Sequence, residues 1–359
     1  MSKLENRPVL FDYFPDLAEK LSWIRLETSP SPVQRLENLG HKNLWIKRDD
    51  QVSSVYGGNK VRRLEFILAD VIRKGKKRIV TMGGIGTNHG LATAIYCKRL
   101  GIACTLCLFD QPLTPYVRQN LRLFYKYGAE MRYFPDMLSM SVDFYLFQRL
   151  LKRHAYFLYA GGSSPLGVVG AVNAAFELKR QIDAGEMPTP KYVFCPTASN
   201  GTMAGLIIGF LLAGVPTTVM GVRVGALSLG PLPLNTPGTV KSIAEKTYRL
   251  LRANSQRLPQ ISIPTPLMIH NYCGAGYGHP TPEGNRAVAL FKERENIALE
   301  PVYTGKTCAA MLDFIKDSAH SGDTILYWHT FNSIDLSKEV ASVNYRELPP
   351  VFHRFFEEE

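Results

Sequence analysis

Short apolar runs rich in β-branched residues alternate with helix-period patterns along most of this 359-residue chain. That alternation constrains the fold more than any other feature. Leu44–Lys47 reads as a strand, and the helix after it places Leu64, Ile67, Leu68, Val71 and Ile72 on one face. Residues 79–82 form the next strand, followed by a helix from about Asn88 that stops at Gly101. Residues 102–109 read as a strand. Thr114-Pro115 then opens a helix with a capping hydroxyl and a first-position proline, and Gly128 closes it. Further strands are expected at 156–159, 192–195, 219–224 and 325–328. Such alternation gives open, twisted, mostly parallel sheets with helices on both faces, so the fold class is α/β.

The length exceeds what one compact core usually takes, which implies two lobes or one large domain with an insertion. With 42 Lys+Arg against 31 Asp+Glu the net charge is +11. That excess suits acidic ligands, but the basic residues are scattered and form no recognisable module, so no nucleic-acid partner is expected. Cys104 and Cys107 have a CxxC spacing inside a strand, where an offset of three puts them on opposite faces. They and Cys97, Cys195, Cys273 and Cys308 read as reduced core thiols of a cytoplasmic protein, and no metal site is expected. Residues 1–16 lack the apolar core of a signal peptide. The most hydrophobic stretch, 204–222, is broken by Gly209, Gly214 and Pro216 and reads as a buried helix and strand, not a membrane span. The aromatic, acidic tail 352–359 suggests no function.

Parallel sheets bind ligands where strands turn into helices at their carboxyl ends. Three such turns are informative. Gly57-Gly58-Asn59-Lys60 puts a lysine at a helix N-terminus, where the positive dipole end disfavours its ammonium form. A partly neutral lysine can condense with an aldehyde, although one lysine after two glycines is equally a surface residue beside a bend. In Gly83-Gly84-Ile85-Gly86-Thr87-Asn88-His89-Gly90, Thr87 or Asn88 can cap the next helix, and free N–H groups there can accept a carboxylate or phosphate. His89 reads as a ligand contact or a packed histidine. Thr197-Ala198-Ser199-Asn200-Gly201-Thr202 forms a phosphate cradle that lacks both the P-loop ending and the dinucleotide spacing. A phosphate site without a nucleotide motif, together with that lysine, suggests pyridoxal 5'-phosphate.

In order and composition these turns resemble the fold-type-II, tryptophan-synthase-β-like pyridoxal-phosphate enzymes. More narrowly they resemble the 1-aminocyclopropane-1-carboxylate deaminase and D-cysteine desulfhydrase family. The likeness runs from about Pro32 to Trp328. It includes Leu44 to Asp50, Arg62-Arg63-Leu64-Glu65, Gly161-Gly162-Ser163, Gly276-Tyr277-Gly278 and Pro301-Val302-Tyr303-Thr304-Gly305-Lys306. The resemblance implies that Lys60 is the Schiff-base lysine and moves protons at the substrate α-carbon, beside Asn59. Asn88 would meet the cofactor's ring oxygen, and Ser199, Asn200, Gly201 and Thr202 its phosphate. Thr87, with Asn88 and His89, would hold the substrate, or Thr87 would assist the proton transfer as a catalytic residue; the catalytic Tyr277 and Tyr303 face the substrate. Thr304 stands where ring-opening deaminases have a glutamate. A neutral hydroxyl there leaves the pyridine nitrogen unprotonated, a weaker electron sink that still suffices for β-elimination.

The resemblance therefore implies a lyase that converts a small amino acid to a 2-oxo acid and ammonia, with sulfide released from D-cysteine. β-Replacement, racemisation, 1-aminocyclopropane-1-carboxylate deamination and a catalytically silent cofactor binder are the alternatives. It also implies a homodimer built from a large lobe, residues 1–63 and 165–359, and a small inserted α/β lobe, residues 64–164. Gly86, Leu91, Phe331 and Asn332 depart from the family pattern around the substrate pocket.

Overall fold

The computed structural model describes residues 7–26 and 30–357. The first six residues of the N-terminal segment and the last two of the acidic tail lie outside them. The described chain forms two compact units: residues 1–66 with 163–333, and residues 67–162 with 334–359. Residues 334–359 thus group with the smaller unit, where the sequence reading assigned them to the larger.

The larger unit is built on a six-stranded sheet. Its strand order is Val33–Arg35, Leu44–Lys47, Ile325–Trp328, Tyr192–Thr197, Thr218–Arg223, Leu267–Ile269. Only the first pair is antiparallel. The central strands read as continuous apolar runs because both faces are covered; all four residues of Ile325–Trp328 are buried. One covering layer packs Pro165–Asp183 against Gly201–Ala213. Added Cβ atoms on Gly205 and Gly209 would lie 2.5 and 2.4 Å from the Cβ atoms of Ala171 and Ala175, so the close approach requires small residues on both sides. The apolar stretch 204–222 is therefore a buried helix and strand, and among the described residues no helix is long and apolar enough to cross a membrane.

The smaller unit holds a four-stranded, wholly parallel sheet in the order Glu130–Phe134, Ala103–Phe109, Arg78–Gly84, Tyr156–Leu158. Thr114 caps the helix Pro115–Lys126 by accepting from Val117 N, and Gly128 closes the turn at φ 71°. The C-terminal segment lies along this unit. Arg118 Nε donates to Phe355 O at 2.7 Å, Lys126 Nζ donates to Ser342 Oγ at 2.8 Å, and Tyr133 packs edge-on against Phe352. All six cysteines are buried and free.

Candidate active site

Lys60 sits in the first turn of the helix Asn59–Arg73, and the chain before it admits only glycine. A Cβ on Gly57 would lie 1.8 Å from the Asp50 carbonyl oxygen. Gly58 has φ 89° and donates its N–H to Asp49 O at 2.7 Å. Asn332 Oδ1 accepts from Gly57 N at 2.6 Å, so this departure from the family pattern holds the lysine turn. Burial, and secondarily the Arg63 guanidinium, push the Lys60 pKa well below 10.5.

The adjacent arginines of this helix do different work. Arg62 enters a buried ionic cluster, bonding Asp49 Oδ1 at 2.7 Å and Glu177 Oε1 at 2.9 Å. Lys47 Nζ reaches the same Glu177 at 2.5 Å, and Trp328 Nε1 donates to Asp49 at 2.7 Å. Arg63 instead points into a nest of hydroxyls. It donates to Ser163 Oγ at 2.8 Å, Ser199 Oγ at 3.2 Å and Thr202 Oγ1 at 2.6 Å. Asn59 Nδ2 also donates to Thr202 Oγ1, at 2.7 Å, and Ser163 donates to Ser199 at 2.8 Å. Burial lowers the Arg63 pKa to about 10.

This nest fits a phosphate. Asn200 precedes the helix Gly201–Ala213 at φ 63° and makes no side-chain cap, so the side chain does not occupy the first-turn N–H groups. Its Nδ2 donates backward, to Leu234 O and Thr239 Oγ1, while its buried Oδ1 and the buried Thr197 Oγ1 have no hydrogen-bond partner. A Cβ on Gly201 would come within 2.7 Å of Ser163 Oγ and 3.1 Å of Arg63 Cζ, closing the cradle. A guanidinium, hydroxyls and a helix N-terminus beside a depressed lysine match a phosphate-bearing aldehyde. Asn200 contributes the shape of the turn; Arg63 and Ser163 are members that the sequence reading did not assign.

Tyr303 donates to the Tyr277 hydroxyl at 2.8 Å, with the rings edge-to-face at 6.0 Å and 81°. Burial is the main cause that raises both phenol pKa values, so both stay protonated near neutrality. Thr304, just after Tyr303, is fully buried with its hydroxyl turned toward Glu300: it accepts from Glu300 N at 2.7 Å and donates to Glu300 O at 2.8 Å. The Glu300 carboxylate in turn accepts the backbone N–H groups of Val302, Tyr303 and Thr304 at 2.8, 2.7 and 2.6 Å. Burial nonetheless raises its pKa. Lys306, fully buried, donates to Cys273 O at 2.7 Å and Gly276 O at 3.2 Å, and so braces the loop that carries Tyr277.

In the smaller unit Thr87 is the N-cap of the helix Asn88–Arg99, accepting from Gly90 N at 3.2 Å. Asn88 is partly exposed at the first helical position. His89 is 4% exposed and lies 3.0 Å from Thr81 Oγ1, the arrangement of a packed histidine. Gly86 is enclosed: a Cβ there would meet Val117 Cγ2 at 2.7 Å and Gln111 Nε2 at 3.1 Å. Leu91 is buried. Among the described residues no group of His, Cys, Asp and Glu could hold a metal ion.

Comparison with known proteins gives the family of the chain. Residues 24–330 match the family described as "Pyridoxal-phosphate dependent enzyme". The chain is 30% identical over 315 residues to nocardicin C-9' epimerase of Nocardia uniformis subsp. tsuyamanensis, covering 86% of this chain and 91% of that protein. It is 31% identical over 324 residues to D-cysteine desulfhydrase of Salmonella paratyphi A, covering 86% and 93%. A crystal structure of an ACC deaminase homologue superposes with a TM-score of 0.77 at 27% identity, covering 94% of this chain and 99% of that one.

Proposed function

Because the chain belongs to the pyridoxal-phosphate-dependent enzymes of fold type II, in the lyase and deaminase class, we propose that it eliminates the β-substituent of a small amino acid. The products are a 2-oxo acid and ammonia, with sulfide when the substrate is D-cysteine. One observation carries the reading: a lysine whose pKa burial pushes well below 10.5, one helical turn from an arginine set among hydroxyls at a helix N-terminus.

Bound at Lys60, the cofactor supplies an electron sink for negative charge at the substrate α-carbon. Arg63, Ser199, Thr202 and the N–H groups after Asn200 hold its phosphate, with Asn59 fixing Thr202 and Gly201 leaving the space. Asn88 would donate to its ring oxygen, and Thr304, whose hydroxyl is engaged by Glu300, would offer the ring nitrogen no carboxylate of its own. Thr87 and the N-terminus of its helix hold the substrate carboxylate.

Lys60, with its lowered pKa, would take the α-proton as a general base. The carbon–sulfur bond then breaks, and its electron pair leaves with sulfur. Tyr277 and Tyr303 remain protonated, so the pair would give a proton to the departing hydrosulfide. Water completes the release of ammonia and the 2-oxo acid. The proposal includes a cytoplasmic homodimer, as the family resemblance implies.

Borohydride treatment of the yellow holoprotein tests this reading, with peptide mapping of the fixed cofactor and assay of D-cysteine, L-cysteine and D-serine. A label on Lys60 and pyruvate from D-cysteine are expected; a label elsewhere or no keto acid overturns it. Likeness to an epimerase, together with the phenol pair as a second proton carrier, supports epimerisation as the second reading. Solvent deuterium entering the α-carbon of recovered amino acid, without keto acid, selects it.

A further inference from the structure

We propose that Asn120 is a positioning residue that sets the hydrogen-bonding sense of Asn88, so that Asn88 offers N–H groups rather than its carbonyl to the cofactor's ring oxygen. The inference rests on the cofactor reading above, in which Asn88 meets that oxygen.

Asn120 comes from the middle of the helix Pro115–Lys126 and is 6% exposed. Its Nδ2 donates to Gly86 O at 2.8 Å and to Asn88 Oδ1 at 3.3 Å. A carboxamide has a donor end and an acceptor end, and only its partners decide which way it faces. The Gly86 carbonyl can only accept, so it fixes the amino end of Asn120 toward the loop. The second N–H of that amino group then needs an acceptor, which Asn88 Oδ1 supplies. With Oδ1 engaged, the Asn88 Nδ2 hydrogens are left for the partly exposed side of the residue. A ring oxygen that carries negative charge needs such a donor; a flipped carboxamide would set a lone pair against it.

The carbonyl that starts this relay is itself held. Gly86 N donates to Gln111 Oε1 at 3.2 Å, and Val117 and Gln111 fill the space a side chain at 86 would take. Gly86, a departure from the family pattern, thus leaves room for a clamp built from Gln111, Val117 and Asn120. Its output is the direction of one amide.

The test compares wild type with Asn88→Ala, Asn120→Ala, Asn120→Asp and the double Asn88→Ala/Asn120→Ala variant. The readouts are pyridoxal phosphate affinity of the apoprotein, position of the visible absorption band, and thermal midpoint. Asn120→Ala should weaken binding by about tenfold, the effect of one hydrogen bond to a charged group, and move the band. Asn120→Asp, nearly isosteric, should move the band at least as far, because a carboxylate repels both oxygens it faces. In the Asn88→Ala background the second substitution should add no band shift. A band and affinity unchanged in both Asn120 variants while Asn88→Ala moves them overturns the proposal. So does a lowered midpoint with an unmoved band, or an added shift in the double variant. If Asn88→Ala itself moves neither band nor affinity, the cofactor reading of Asn88 fails instead.

Discussion

Arg63 lies one helical turn beyond Lys60, and its guanidinium adds to burial in holding the lysine pKa well below 10.5. Between that lowered value and 10.5 the unfolded chain binds a proton at this lysine that the folded apoprotein does not. Stability of the apoprotein therefore rises with pH across that window, by at most about 1.4 kcal/mol per pH unit from one group. Urea unfolding from pH 7 to 10 should show Lys60→Met with a shallower rise than wild type; parallel curves would contradict a depressed Lys60.

The same arginine donates to the hydroxyls of the proposed phosphate cradle. Arg63→Met should keep the fold, because the ionic cluster of Arg62 is separate from it, yet lose pyridoxal phosphate affinity by about 10- to 100-fold for the lost charge-assisted bonds. Equilibrium dialysis against the cofactor gives the value. Gly201→Ala should act similarly by filling the cradle, since its Cβ would crowd Ser163 and Arg63.

Tyr303 is the donor to Tyr277, so Tyr303→Phe leaves the ring packing and removes one proton carrier. The expected loss is about 10²- to 10⁴-fold in kcat for β-elimination, with KM nearly unchanged. A fall in kcat/KM that comes wholly from KM would make Tyr303 a binding group alone.

Glu300→Ala removes the acceptor shared by three buried N–H groups and should destabilise by about 1–3 kcal/mol in urea unfolding. Glu300→Gln should recover part of that loss, since its amide oxygen still accepts. Because burial raises the Glu300 pKa, its native form holds a proton above the range where the unfolded chain releases it. This group's contribution to stability therefore falls as pH rises from 4.5, and the slope should vanish in Glu300→Gln.

With Thr304 in place of glutamate, turnover of 1-aminocyclopropane-1-carboxylate should be negligible beside that of D-cysteine. Keto-acid release measured on both compounds decides it, and comparable rates would remove Thr304 as the discriminating residue.

The fold class and the glycine-rich turns were legible because glycines and apolar periods are local signals. Gly57 and Gly58 announced Lys60, and Thr114 announced its helix. What escaped was decided by distant partners. Arg62 and Arg63 look alike in a sequence, yet one is drawn to Asp49 and Glu177 and the other to Ser199 and Thr202. Glu300, Lys306 and Asn120 are single polar residues whose task depends on which backbone oxygens and N–H groups surround them. Val33–Arg35 and Glu130–Phe134 are short strands of mixed polarity, and Leu267–Ile269 is a run of only three apolar residues; pairing with a neighbour is what defines each of them. The resemblance puts His89 beside the substrate; the structure shows it buried with its ring 3.0 Å from Thr81 Oγ1, a contact that sequence does not display.

The smaller unit is discontinuous, and that bears on how a ribosome delivers it. Its four-stranded sheet is complete once residue 162 has been made, but its outer layer waits for residues 334–357, after about half the chain has been synthesised between them. During that interval Tyr133, Arg118 and Lys126 lack Phe352, Phe355 and Ser342, and an aromatic face that the finished protein covers stays open to other nascent chains. A chain stopped after Trp328 would carry the proposed reactive side chains and still be a client for chaperones.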